Sequence, residues 1–148
     1  MESIRDGNIV MARLKNDSAV REGILDAMER HSIYSCAVLC GIGMLKDVTL
    51  GYFEKGKYLE KQHPRPMELL SMQGFVTVDS TVHVHVVIGD RDYAAHGGHM
   101  LSAKVCNTLE MTLLTLDSFS LTRKLEPSTG LRLLAFRSED ERPVLPPL

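Results

Sequence analysis

The sequence predicts an α+β domain in which an antiparallel β-sheet packs with one main N-terminal α-helix. Two observations carry that expectation. A single segment of helical period lies early in the chain, and alternating or apolar segments separated by turn residues fill the rest. The 148 residues suit one domain, at about 150 residues per domain.

Residues 8–14 are a mixed run, expected to be an opening strand. Asn16-Asp17-Ser18 then offers capping side chains. Val20, Ile24 and Met28 recur every four residues, with Leu25 and Ala27 beside them and Arg21, Glu22, Asp26, Glu29 and Arg30 on the other side. This spacing predicts an amphipathic helix over 18–31, interrupted only mildly by Gly23. Residues 33–40 are nearly all apolar, as in a strand covered on both faces. Gly41-Ile42-Gly43 is expected to break it, after which Val48, Leu50 and Tyr52 alternate with Asp47, Thr49 and Gly51. Lys55-Gly56 predicts a hairpin turn into 57–62, and Pro64-Arg65-Pro66 stops that strand. A longer strand is expected over 67–78 with Gly74 a candidate bulge, then strands over 81–88, 100–116, 119–125 and 131–136. The domain is thus expected to span 8–136, with the charged and then Pro-rich residues 137–148 a C-terminal tail.

Hydrophobic residues make up 44% of the chain, enough for a real core. Seventeen Lys and Arg against nineteen Asp and Glu give a net charge of -2, without the basic footprint of a dedicated DNA-binding domain. Three cysteines argue against a disulfide framework, and Cys36, Cys40 and Cys106 are expected to be small buried hydrophobes. The start lacks the layout of a signal peptide, and the most apolar stretch, 33–45, is shorter than the roughly 20 residues of a membrane span. A cytoplasmic location with no membrane partner is expected.

The chemistry points to His83-Val84-His85. A strand sends Val82, Val84 and Val86 to one face and both imidazoles to the other, with their Cα atoms about 7 Å apart. Two such rings can share an ion. Alone, a His-x-His pair is more often two polar residues on a solvent face. Gly97-Gly98-His99 strengthens the reading, because an antiparallel return through a close-packing glycine pair would bring His99 back toward the pair. His96 is an alternative third ligand, while His31 and His63 read as surface residues. Three histidines without a fourth protein ligand form an open site that suits zinc or another divalent transition metal. Glu68, Asp90, Asp92 and Glu110 are candidate supporting carboxylates, with Glu68 the weak candidate for a catalytic proton carrier.

At these residues the chain resembles the PPC family, the domain conserved in plants and prokaryotes, in its prokaryotic type. The matching pieces run in family order: Cys40-Gly41-Ile42-Gly43-Met44-Leu45, Leu50-Gly51-Tyr52-Phe53, Met67-Glu68-Leu69-Leu70-Ser71, His83-Val84-His85, Asp90-Arg91-Asp92 and Gly97-Gly98-His99-Met100. The resemblance implies a strongly bent antiparallel sheet, assembly as a homotrimer, and a metal, usually zinc, held near the subunit contacts by His83, His85 and His99. Plant members carry AT-hooks instead; this chain has no Arg-Gly-Arg-Pro hook. Prokaryotic members are often labelled predicted DNA-binding proteins, a label resting on similarity. More distantly the chain is similar to acetolactate decarboxylase, which has a comparable histidine arrangement. The carboxylate and arginine partners of that enzyme have no counterpart here by motif.

Two functions follow as expectations. In the first, the homotrimer binds a divalent metal at an open small-molecule site. An ion on three neutral imidazoles keeps its charge uncompensated, attracts a small anionic or carbonyl ligand, and acidifies bound water toward a pKa of about 7. Such a site is expected to lose metal below a pH of about 6.5, where free imidazole protonates. An open site permits a reaction without naming one. In the alternative, the protein is a DNA-binding or regulatory module with a structural metal. Lys46, Lys55, Lys57, Lys61 and Arg65 would then gather into a local basic surface, although the net charge does not support it.

Overall fold

The computed structural model describes residues 1–116, 118–119 and 121–136; the expected tail, 137–148, lies outside the described residues. Along the chain run β1 (Glu2–Asp6), β2 (Ile9–Lys15), α1 (Val20–Arg30), β3 (Cys36–Glu54), β4 (Lys57–His63), β5 (Met67–Val76), β6 (Val82–Gly89), β7 (Ala95–Thr115), β8 (Leu121–Glu126) and β9 (Leu131–Phe136). Seven strands form one antiparallel sheet in the order β1-β2-β7-β6-β5-β3-β4. Because β7 also pairs with β3, strands β3, β5, β6 and β7 close into a circuit. A flat sheet cannot close, so these strands curl.

The curl is written into the two longest strands. The expected break at Gly41-Ile42-Gly43 is instead part of β3, which runs on for 19 residues. Its pairing with β7 slips four times, between Val38/Cys40, Gly43/Met44, Lys46/Thr49 and Thr49/Leu50. Each slip adds local twist and bends the strand without ending it. The chain reverses after β3 where expected: Lys55 and Gly56 both have positive φ, 49° and 82°, as a type I′ hairpin turn requires.

The core lies inside the circuit and under the helix. Val84, Val86 and Ile88 of β6 are buried together with Leu45 and Val48 of β3, Met72 of β5, and Val105 and Leu109 of β7. From α1, Val20, Ile24, Ala27 and Met28 join the same cluster. Burying each valine, leucine, isoleucine or methionine among them contributes roughly 1.5–3 kcal/mol. A one-residue slip of β6 would exchange these valines for the histidines between them, so the inner valines fix the direction of the imidazoles.

Other departures from expectation have local causes. β1 was not expected: four of its five residues are exposed, so it lacks an apolar alternation. The helix begins at Val20, and its N-cap, Ala19, makes no side-chain cap. The expected cappers are engaged elsewhere. Asn16 Oδ1 accepts the Asn107 backbone N–H at 2.8 Å, and Asp17 pairs with Lys46. The irregularity in β5–β6 pairing falls between Leu69 and Ser71, not at Gly74. Strand β7 begins at Ala95, earlier than the expected 100. Of the cysteines Cys36 is buried, Cys106 half-buried and Cys40 exposed. Strands β8 and β9 form a separate hairpin beside the sheet, where the Val78 N–H donates to the Leu121 carbonyl at 3.1 Å. Among the described residues no helix is long and apolar enough to cross a membrane.

Candidate metal centre

Strands β6 and β7 are joined by a turn at residues 90–94 and pair without a register slip, which places His85 directly opposite His99. His83 precedes His85 by two residues and shares its face. The three rings stand with centroids 5.2 Å (His83–His85), 4.7 Å (His83–His99) and 5.3 Å (His85–His99) apart. One nitrogen from each ring lies within 4.8 Å of the other two. The tripod expected from the sequence is therefore assembled, with His83 and His99 half-buried and His85 exposed.

Aromatic and cationic side chains flank the three rings. Tyr58 of β4 stacks on His99 with centroids 5.0 Å apart and planes at 21°. Gly51, the partner of His99 on β3, makes room for that ring: a Cβ there would meet Tyr58 Cδ1 at 2.6 Å. Across β5, Phe75 faces His83 and Gln73 faces His85. Burial, then the Arg123 guanidinium and the His99 and His85 rings, push the His83 pKa down to about 4. His99 is also pushed down, by burial first, then by His85 and Arg123. Both rings thus stay neutral to a lower pH than the value of about 6.5 expected for free imidazole. That moves their share of proton-driven metal loss to lower pH than the sequence suggested. Tyr58 and Arg123 had no motif to announce them, because both reach the site from elsewhere in the chain.

His96, the alternative third ligand, stands outside the cluster. It sits three positions before His99, so the strand turns it to the opposite face. There its Nε2 lies 3.0 Å from Asp90 Oδ2, which holds the Asp90 carboxyl below the usual range. His63 is not a simple surface residue: its ring is 5.0 Å from His96 and its Nε2 is buried without a partner. His31 bonds Ser3 Oγ at 2.9 Å. The proposed carboxylates are not drawn in. Glu68 pairs with Gly89, four residues along β6 from His85, or roughly 13 Å. Glu110 pairs with Arg13 and Ile42 on other strands, and Asp92 lies in the turn. Among the described residues only His83, His85 and His99 form a group of three or more such donors.

The donor set fits a metal. Three imidazoles converge, and His99 Nδ1 is buried with no hydrogen-bond partner, a cost that ligation through that nitrogen would remove. A curled antiparallel sheet bearing three histidines on adjacent strands defines a β-domain with a metal-competent site.

The sequence profile of the Plants and Prokaryotes Conserved (PCC) domain, the family also abbreviated PPC, matches residues 1–117, and the chain belongs to that family. A metal-containing protein from Archaeoglobus fulgidus is 30% identical, with 87% of this chain and 94% of that one covered and a TM-score of 0.79. A plant- and prokaryote-conserved protein from Pyrococcus horikoshii is 27% identical, covering 87% and 92%, with a TM-score of 0.77. A protein from Bacteroides thetaiotaomicron, named for a conjectured DNA-binding role, shares the fold at 24% identity, covering 91% and 96%, with a TM-score of 0.82. No curated protein sequence matches the chain.

Proposed function

We propose that this chain is a metal-binding domain that assembles as a homotrimer. It holds a divalent transition ion, zinc by the donor set, through His83, His85 and His99, with an open side for a small anionic or carbonyl ligand. The carrying observation is the convergence of three imidazole nitrogens within 4.8 Å of one another with no carboxylate among them. The metal-containing relative from Archaeoglobus fulgidus supports it. When bound, the ion would supply Lewis acidity and a fixed positive charge. The chain's own residues orient the donors, and burial keeps His83 and His99 unprotonated.

Exposed apolar side chains beside the tripod and further along β5 and β6 support assembly. Phe75 and Val87 of β5 and β6 are 39% and 37% exposed, and Leu70 is 54% exposed. Covering such a patch with another subunit would stabilise the complex and enclose the site. A cytoplasmic location fits the cysteine usage. The DNA-binding alternative is the weaker one: the net charge is -2, and Lys46, one of the cations it needs, is committed to Asp17. Light scattering combined with elemental analysis tests the reading. Three chains and bound metal are expected. A metal-free monomer, or a shift of labelled DNA that weakens steeply with salt, would contradict it.

A further inference from the structure

We propose that Arg123 makes the open side of the histidine tripod a receptor for a small carboxylate, held between the guanidinium and the ion with Tyr58 closing one flank. The inference rests on the metal reading above and names the ligand class of that site. Arg123 belongs to β8, beyond residues 1–117 that match the family. Its strand docks just before β6: the Leu121 carbonyl accepts from Val78, and Arg132 of the paired strand reaches Asp79 at 3.7 Å. The hairpin thereby carries Arg123 to the end of β6 where His83 stands.

The guanidinium is under-used where it sits. Nη1 donates to the Arg132 carbonyl at 3.2 Å, whereas Nε is buried with no partner at all. Arg123 is half-buried, and its charge is felt at both His83 and His99. Asp79 and Tyr58 act on it in turn, each favouring its charged form against burial. The ligand set contains no carboxylate. A divalent ion on neutral imidazoles beside a partly desolvated guanidinium would gather positive charge with too little to offset it. One anion between them relieves both. The planar fork of arginine matches a carboxylate in two parallel hydrogen bonds, and flanking Tyr58 and Phe75 suit a flat monoanion better than a tetrahedral dianion.

The test uses the full-length protein loaded with Co2+, whose visible spectrum reports what enters the open side. Acetate and inorganic phosphate are titrated separately into wild type, Arg123→Met and Arg123→Lys. Acetate is expected to perturb the wild-type spectrum, to bind at least about tenfold more weakly to Arg123→Met, and to fall between for Arg123→Lys. Both variants should retain wild-type cobalt content. Equal acetate affinity in wild type and Arg123→Met would overturn the assignment while leaving the tripod intact. Phosphate binding more tightly than acetate through Arg123 would overturn the choice of a carboxylate. A wild-type chain that takes up no cobalt would overturn the metal reading, and this inference with it.

Discussion

Gly74→Ala is expected to disable the protein from beneath the site. Gly74 faces Val84 across β5–β6, beside the backbone of His83. A Cβ at this position would stand 2.0 Å from the His83 carbonyl oxygen, 2.7 Å from Val84 Cα and 2.9 Å from the His83 carbonyl carbon, where ordinary contact begins near 3.4 Å. All three atoms are backbone, so no side-chain rotation relieves the collision. The strands must part by more than an ångström. Overpacking of this kind costs about 1–3 kcal/mol, and each ladder hydrogen bond lost adds about 1 kcal/mol, giving an expected loss of roughly 3–5 kcal/mol. Against a typical stability of about 5–15 kcal/mol, that leaves the fold marginal. Gly97→Ala, on the other side of β6, is the control: its Cβ would meet Val86 O at 3.4 Å and Val87 Cγ2 at 3.5 Å, so stability should change by less than about 1 kcal/mol. Urea melts of both variants, compared at equal m-values, measure the difference. A Gly74→Ala midpoint equal to wild type would refute the reasoning from backbone contact.

Truncating Ile88 to alanine, fully buried on the inner face of β6, should cost about 2–5 kcal/mol in the same melts. Phe75→Asp places a charge on the exposed face beside His83; if the chain assembles as the proposed trimer, light scattering should show three chains for wild type and single chains for the variant. The metal-free protein should lose stability as pH falls. Unfolded His83 and His99 protonate near pH 6.5, while burial and nearby positive charge hold the folded rings lower, His83 to about 4. The loss begins near pH 6.5, and the share from His83 is complete near pH 4. With allowance for solvent screening of these half-exposed rings it should be on the order of 1–2 kcal/mol. Stability that stayed flat from pH 7 to 4 in chelator would count against those shifts.

Local periodicity made much of this structure readable. The four-residue spacing of Val20, Ile24 and Met28 identifies α1, and the alternation of valine and histidine identifies both faces of β6. His99 could be reached because the turn is short and the return antiparallel, which reduces a long-range question to a register. The same parity decides between His96 and His99. What was not legible depends on closure of the sheet. Gly41 and Gly43 look like the end of a strand, because nothing local says that β3 must bend around β7 and continue. The glycine pair at 97 and 98 suggests a close approach at both positions, yet only Gly98 is tight, with a Cβ meeting the Gly51 carbonyl at 3.2 Å. Tyr58 and Arg123 reach the tripod only once β4 and the β8–β9 hairpin have folded against the sheet. Glu68 stands before an apolar run, but its register carries it toward the far end of β6.

The central claim is that His83, His85 and His99 bind one metal together. The direct measurement is metal per chain by elemental analysis in wild type, His99→Ala and His96→Ala, each purified without chelator and confirmed as folded. Wild type and His96→Ala should carry equal metal and His99→Ala little or none. Full metal in His99→Ala, or loss in His96→Ala alone, would contradict the account.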